Sequence, residues 1–133
     1  MQDLVATITK NLGIDSSIVE KAIGIILKML KDNGLEEKIA PILEQLPGAE
    51  EFINKAPEPS EASGGGGLMA AVGGLMGGGG GLMATVGQLQ GIGLDMDQSK
   101  GVAKELVNYA SDKVGNDTLK DALKDIPGID MIL

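Results

Sequence analysis

Short words in the first half of this 133-residue chain return, in the same order, in its second half. Residues 4–8 read LVATI and 82–86 read LMATV; 13–15 read GID and 93–95 read GLD; LPGAEEFI at 46–53 returns as IPGIDMIL at 126–133. The last two pairs lie 80 residues apart and the first pair 78, so a two-residue insertion within QLQGI reconciles them. Convergent helix punctuation produces any one such pair but not readily the whole register, so the chain reads as one unit written twice. Any fold for it must accommodate two copies of one element order.

The repeated unit reads as helices. Asp15, Ser16 and Ser17 offer N-cap oxygens, and Ser17 with Glu20 three residues later fits a capping box. The run that follows ends at Asn33-Gly34, a helix stop signal. At 100° per residue, Glu20, Lys21, Gly24, Lys28, Lys31 and Asp32 fall on one polar arc, and the remaining, larger arc is apolar. A shift of 80 puts Lys100, Lys104, Asn108, Ser111 and Asp112 on the matching arc. Shorter helices are expected before each central one, at 2–12 and near 82–90, and after it, at 35–45 and 117–125. Pro41 either kinks the first of that last pair or opens it as its first residue. Pro-Gly then breaks the chain ahead of Phe52-Ile53 and Ile132-Leu133, which would plug the small core. A helical unit of this size is marginal alone, so the two units are expected to pack with pseudo-twofold symmetry, or the pair to dimerise.

Between the units, no residue from Ala62 to Leu94 is charged, and 14 of the 21 glycines lie between Gly64 and Gly93. GGGGLMAAVG at 64–73 returns as GGGGLMATVG at 78–87, and the pairs Leu68-Met69, Leu75-Met76 and Leu82-Met83 recur every seven residues. Three readings are open. The stretch is a linker, in keeping with the preceding APEPSEAS, since five successive glycines disfavour a water-exposed helix. Alternatively Gly73, Gly77 and Gly81 form a glycine zipper within a segment longer than the ~20 residues that span a bilayer. In the third reading the Leu-Met pairs, adaptable because methionine is flexible, form a strip by which copies of the chain associate.

Composition removes most chemistry. With no Cys and no His, the common zinc ligands, thiol nucleophiles and imidazole bases are missing; carboxylates, Lys, Ser, Thr and Tyr109 leave glycosidase-type or Ser-Lys chemistry formally open, with no motif in its favour. A net charge of −8 and two aromatic residues argue against a nucleic-acid surface, and an anionic membrane would repel the chain. The opening MQDLVATITK has no apolar secretory core, so a cytoplasmic location is expected. Asp95, Asp97 and Ser99 alternate as in a calcium loop, but Lys100 replaces the required glycine and Leu106 the bidentate glutamate, so helix capping is the expected work of Asp95 and Asp97. No GKS or GKT follows the glycines, which excludes a phosphate loop. Glu36, Glu37, Glu44, Glu50, Glu51 and Glu58 read as a solvated acidic face, and Tyr109, at the place of Met29, as a core residue with its hydroxyl at the edge.

The order LGID, helix, LPGAEEFI, Gly/Leu/Met-rich stretch, GLD, helix, IPGIDMIL resembles the bacterial family named after the VcgC and VcgE proteins, over nearly the whole chain. The Gly-Leu stretch and the LGI-D helix start are more loosely similar to YidB-type proteins. Both resemblances imply a bacterial source and an all-helical fold, and neither implies an activity or site residues. The expectation is therefore an all-α protein of two homologous helical units, 1–56 and 82–133, joined by a Pro/Gly-rich linker at 57–81. It is expected to be non-enzymatic, without cofactor or metal, and to act as a homo-oligomer or interaction module through Leu68, Met69, Leu75, Met76, Leu82 and Met83. The alternative is a membrane-associated protein using residues 62–94.

Overall fold

The computed structural model describes residues 1–56, 80–126 and 129–131, with the side chains of the helix that begins at Gly80 described from Thr85 onward. All regular structure among the described residues is helical. The helices are α1 (Gln2–Leu12), α2 (Ser16–Asn33), α3 (Glu36–Gln45), α4 (Ala49–Lys55), α5 (Gly80–Gly91), α6 (Met96–Val114) and α7 (Asn116–Lys124), followed by a 3-10 turn, Ile129–Met131.

The first helix buries Leu4, Val5 and Ile8, one stripe at helical spacing. It ends at Gly13, whose left-handed φ of 65° would strain a side-chain-bearing residue and whose N–H donates to the Thr9 carbonyl. Gly93, at φ 104°, makes the equivalent stop after α5. Ile14 and Leu94, next in the chain, are both buried. Asp15 and Asp95 then serve as N-caps of α2 and α6.

The capping box forms only on the second of these. Asp95 Oδ1 accepts from the Gln98 N–H at 2.7 Å, and Gln98 Oε1 accepts from the Asp95 N–H at 3.1 Å. In α2 the N-cap is Asp15, so the third helical position falls on Ile18, whose side chain has nothing to donate or accept, and no side-chain cap forms. The box expected from Ser17 and Glu20 is thereby displaced; Glu20 lies too far along the helix and instead meets Lys55 of α4 at 3.5 Å.

Helix α2 sits at the centre, packed against α1, α3, α4, α5 and α6. It buries Val19, Ala22, Ile23, Gly24, Ile25, Ile26, Leu27, Met29 and Leu30, so apolar side chains leave it in nearly every direction. Gly24, placed on the polar arc by periodicity, is covered by α4: a Cβ there would overlap the Phe52 carbonyl. Gly34 stops α2 with an extended backbone, φ −84°, and not a left-handed one. Its lack of a side chain matters because a Cβ would overlap Ile39 and lie 2.6 Å from the Leu30 carbonyl. Helix α3 runs from Glu36 to Gln45 with Pro41 inside it and exposed, so Pro41 is not its opening residue.

Helix α6 keeps a solvent face at Lys100, Lys104, Asn108 and Asp112, and packs against α1, α2, α3, α5 and α7. Each of α1 and α5 therefore touches both long helices. One continuous cluster of buried apolar residues runs from Met1 through Ile129 and includes side chains of every helix. Tyr109 is half-buried against this cluster, with its hydroxyl accepting a hydrogen bond from the Met1 amino nitrogen at 3.1 Å.

Candidate interaction surfaces

Two places on this bundle offer more than packing. The first is where the charge-free stretch joins it. Helix α5 is the described part of that stretch, and it belongs to the core: Leu89 is fully buried, and Thr85 and Leu94 are buried beside it. At the other end, α4 is held to α2 by Phe52 over Gly24 and by the Lys55–Glu20 pair, with the Lys55 ammonium 5.6 Å from the Phe52 ring centre. Both α4 and α5 pack on α2, so the chain leaves from and returns to helices resting on one central helix. Of the expected association residues, Leu68, Met69, Leu75 and Met76 lie outside the described residues. Leu82 and Met83 fall within α5, with their side chains outside the described set. No helix among the described residues is long and apolar enough to cross a membrane. The 12 residues of α5 are well short of the ~20 a span requires.

The second is an open groove of about 840 Å³ between the end of α2, the length of α3 and the start of α4. Its floor is apolar, with Leu43 and Ala40 half-buried and Pro47 exposed. Its rim carries Asp32, Glu36, Glu44, Glu50 and Glu51 against one cation, Lys31. Glu36, Glu50 and Glu51 stand in the first turns of α3 and α4, where the positive end of the helix dipole favours a carboxylate. Asp32 and Glu44 stand in the last turns of α2 and α3, where the dipole disfavours one. Among the glutamates read from the sequence as a solvated acidic face, Glu58 lies outside the described residues and the rest are exposed; Glu36, Glu44, Glu50 and Glu51, with Asp32, edge a concavity built by three helices. The signal that could have pointed to it was an acid in a closing helical turn.

Behind the groove, Lys38 of α3 reaches across to α7. Its ammonium lies 2.6 Å from Asp125 and 3.0 Å from Asp121, the one ion-paired link from α3 to α7 among the described residues. Hydrogen bonding to Asp125, then to Asp121, raises the Lys38 pKa above its ordinary 10.5. Asp95 and Ser99, which alternate as calcium ligands would, are occupied in starting α6, with Ser99 Oγ donating to the Asp95 carbonyl at 2.8 Å. Among the described residues no three acidic side chains converge to hold a metal ion.

The family model described as protein of unknown function VcgC/VcgE matches residues 1–127. No curated protein and no solved structure matches the chain.

Proposed function

The chain belongs to this VcgC/VcgE family, and from that premise we propose that it is a non-enzymatic helical scaffold that self-associates through its charge-free central stretch. In this reading two homologous units, 1–56 and 82–133, share one core about a pseudo-twofold axis, and residues 57–81 join them. Supporting the duplication, residues 80 apart are buried together along both halves: Ile14 and Leu94, Ala22 and Val102, Ile26 and Leu106, Leu30 and Ala110, Ile39 and Leu119, Leu46 and Ile126. The packing is also reciprocal, with α1 on α6 and α5 on α2.

The observation that carries the association reading is the anchoring of both ends of the stretch on α2. Copies bearing a net charge of −8 repel one another over most of their surface. The run from Ala62 to Leu94 is where they approach without that cost, and it carries the Leu-Met pairs. Leu68, Met69, Leu75 and Met76 are assigned the contact between copies, without nucleic acid, metal or cofactor, in the cytoplasm. Sedimentation velocity on the whole chain over a range of concentrations tests this. Association that strengthens with salt and is lost when those four residues become Gln is expected. A native chain that stays monomeric throughout would overturn it, and flotation of the native chain with vesicles would transfer the stretch to a membrane.

A further inference from the structure

The rim of the groove between α2, α3 and α4 contains two charges that the fold does not account for. Helices α1, α2, α4, α6 and α7 each carry a lysine in the last turn, the placement their dipoles favour. Helices α3 and α5 have no base there, and α3 carries Glu44 in that turn. Asp32 stands at the corresponding point of α2, beside Lys31. Neither Asp32 nor Glu44 makes an ion pair or hydrogen bond among the described residues, and both are exposed. Two exposed carboxylates at helix ends whose dipoles disfavour them, without a partner among the described residues, are open to positive charge from outside.

The form of that positive charge follows from the geometry. The five rim carboxylates do not converge on a point that would hold one metal ion. They are distributed around an opening of about 840 Å³ whose floor offers Leu43, Ala40 and Pro47. A ligand that meets both features has several cations spaced along a chain and an apolar side chain between them. The geometry points to this groove as a docking site for a basic amphipathic segment of a partner protein, its Lys or Arg side chains meeting Asp32 and Glu44 while an apolar residue rests on Leu43. The site is distinct from the charge-free stretch and does not depend on self-association. A monomeric chain carries it intact.

The test uses the whole chain with Leu68, Met69, Leu75 and Met76 changed to Gln, so that association between copies does not enter the signal. A fluorescein-labelled peptide with Lys and Leu at helical spacing is titrated by anisotropy, beside its Glu/Leu counterpart. Saturable binding of the Lys/Leu peptide alone is expected. The pair D32N/E44Q should weaken it about fivefold, the loss of two exposed ion pairs. D112N/D117N, which removes the same charge elsewhere, should leave it within about twofold. A40Q, which fills the floor without changing the charge, should also weaken it, with helicity and thermal midpoint unchanged by circular dichroism. Equal losses from the two charge pairs would reduce the interaction to the net field of the molecule and overturn the proposal. Absence of saturation would do the same. If D32N/E44Q in the native background changes sedimentation but not peptide binding, the occupant is a second copy and the proposal fails.

Discussion

Helices α2 and α6 take equivalent places in the proposed repeat, yet α2 is covered on most sides and α6 keeps a wet face. Val19, Ala22, Ile23, Ile26 and Leu30 are buried in α2, and Ser99, Val102, Ala103, Leu106 and Ala110, each 80 residues later, are buried in α6. The difference lies on the opposite side. Gly24 lets the Phe52 backbone settle onto α2, whereas Lys104 stands exposed at the matching position of α6. Ile25 and Leu27 are likewise buried where Glu105 and Val107 are half-buried. The missing Cβ at Gly24 leaves the room in which α4 lies across α2, and the residues around it are apolar to match. In the proposed duplication, one pattern thus serves as a central helix and as a flanking one.

The largest test of this contrast is Gly24→Ala. Alanine is the better helix former by about 1 kcal/mol, but here its Cβ meets backbone that cannot swing away, so α4 must shift or lift. A net loss of about 2 kcal/mol in urea unfolding is expected, with new proteolytic cleavage near α4. Lys104→Ala should change stability by less than about 0.5 kcal/mol. Equal effects at the two positions would remove the distinction between the helices. A smaller effect separates their starts: Asp95→Ala breaks a formed capping box and should cost about 1 kcal/mol, whereas Asp15→Ala, whose side chain caps nothing, should cost a few tenths.

The smallest effect concerns the bridge from α3 to α7. A base held protonated more tightly in the folded chain than in the unfolded one stabilises the fold at every pH below its ordinary pKa, here 10.5. That contribution disappears as pH rises through the raised value. Lys38→Met should therefore lower the thermal midpoint slightly at neutral pH and not at all at strongly alkaline pH. High salt should shrink the difference as well, because the pair is exposed to solvent. A gap that persists at alkaline pH would assign the effect of Lys38 to its packing instead.

Local rules of the chain carried the helices, because their apolar spacing and their stops at Gly13, Asn33-Gly34 and Gly93 are written in adjacent residues. Those rules misplaced a capping box because two neighbouring residues could both serve as N-cap. Choosing Asp15 over Ser17 moves the third helical position from Glu20 to Ile18. They also put Gly24 on a polar arc, since periodicity counts a glycine as non-apolar and does not register that another backbone needs its space. The groove and the Lys38 bridge were out of reach for a different reason: Asp32, Glu44 and Glu50 come from three helices, and Lys38 lies 87 residues from Asp125. Their juxtaposition is a property of how the helices pack, and no window along the chain contains it.

The packing of α5, from the second half of the chain, onto α2, and of α1 onto both α2 and α6, has a bearing on how the protein is made. Residues 1–56, as they leave the ribosome, hold most of the surface of α2 but lack α5 and α6, two of the helices that cover it. The core cannot close until those helices have been synthesised, so assembly is expected to wait on the last third of the chain. Until then α2 exposes part of the apolar surface that the finished molecule hides, and a nascent chain stalled at that length would be a natural client for a holding chaperone.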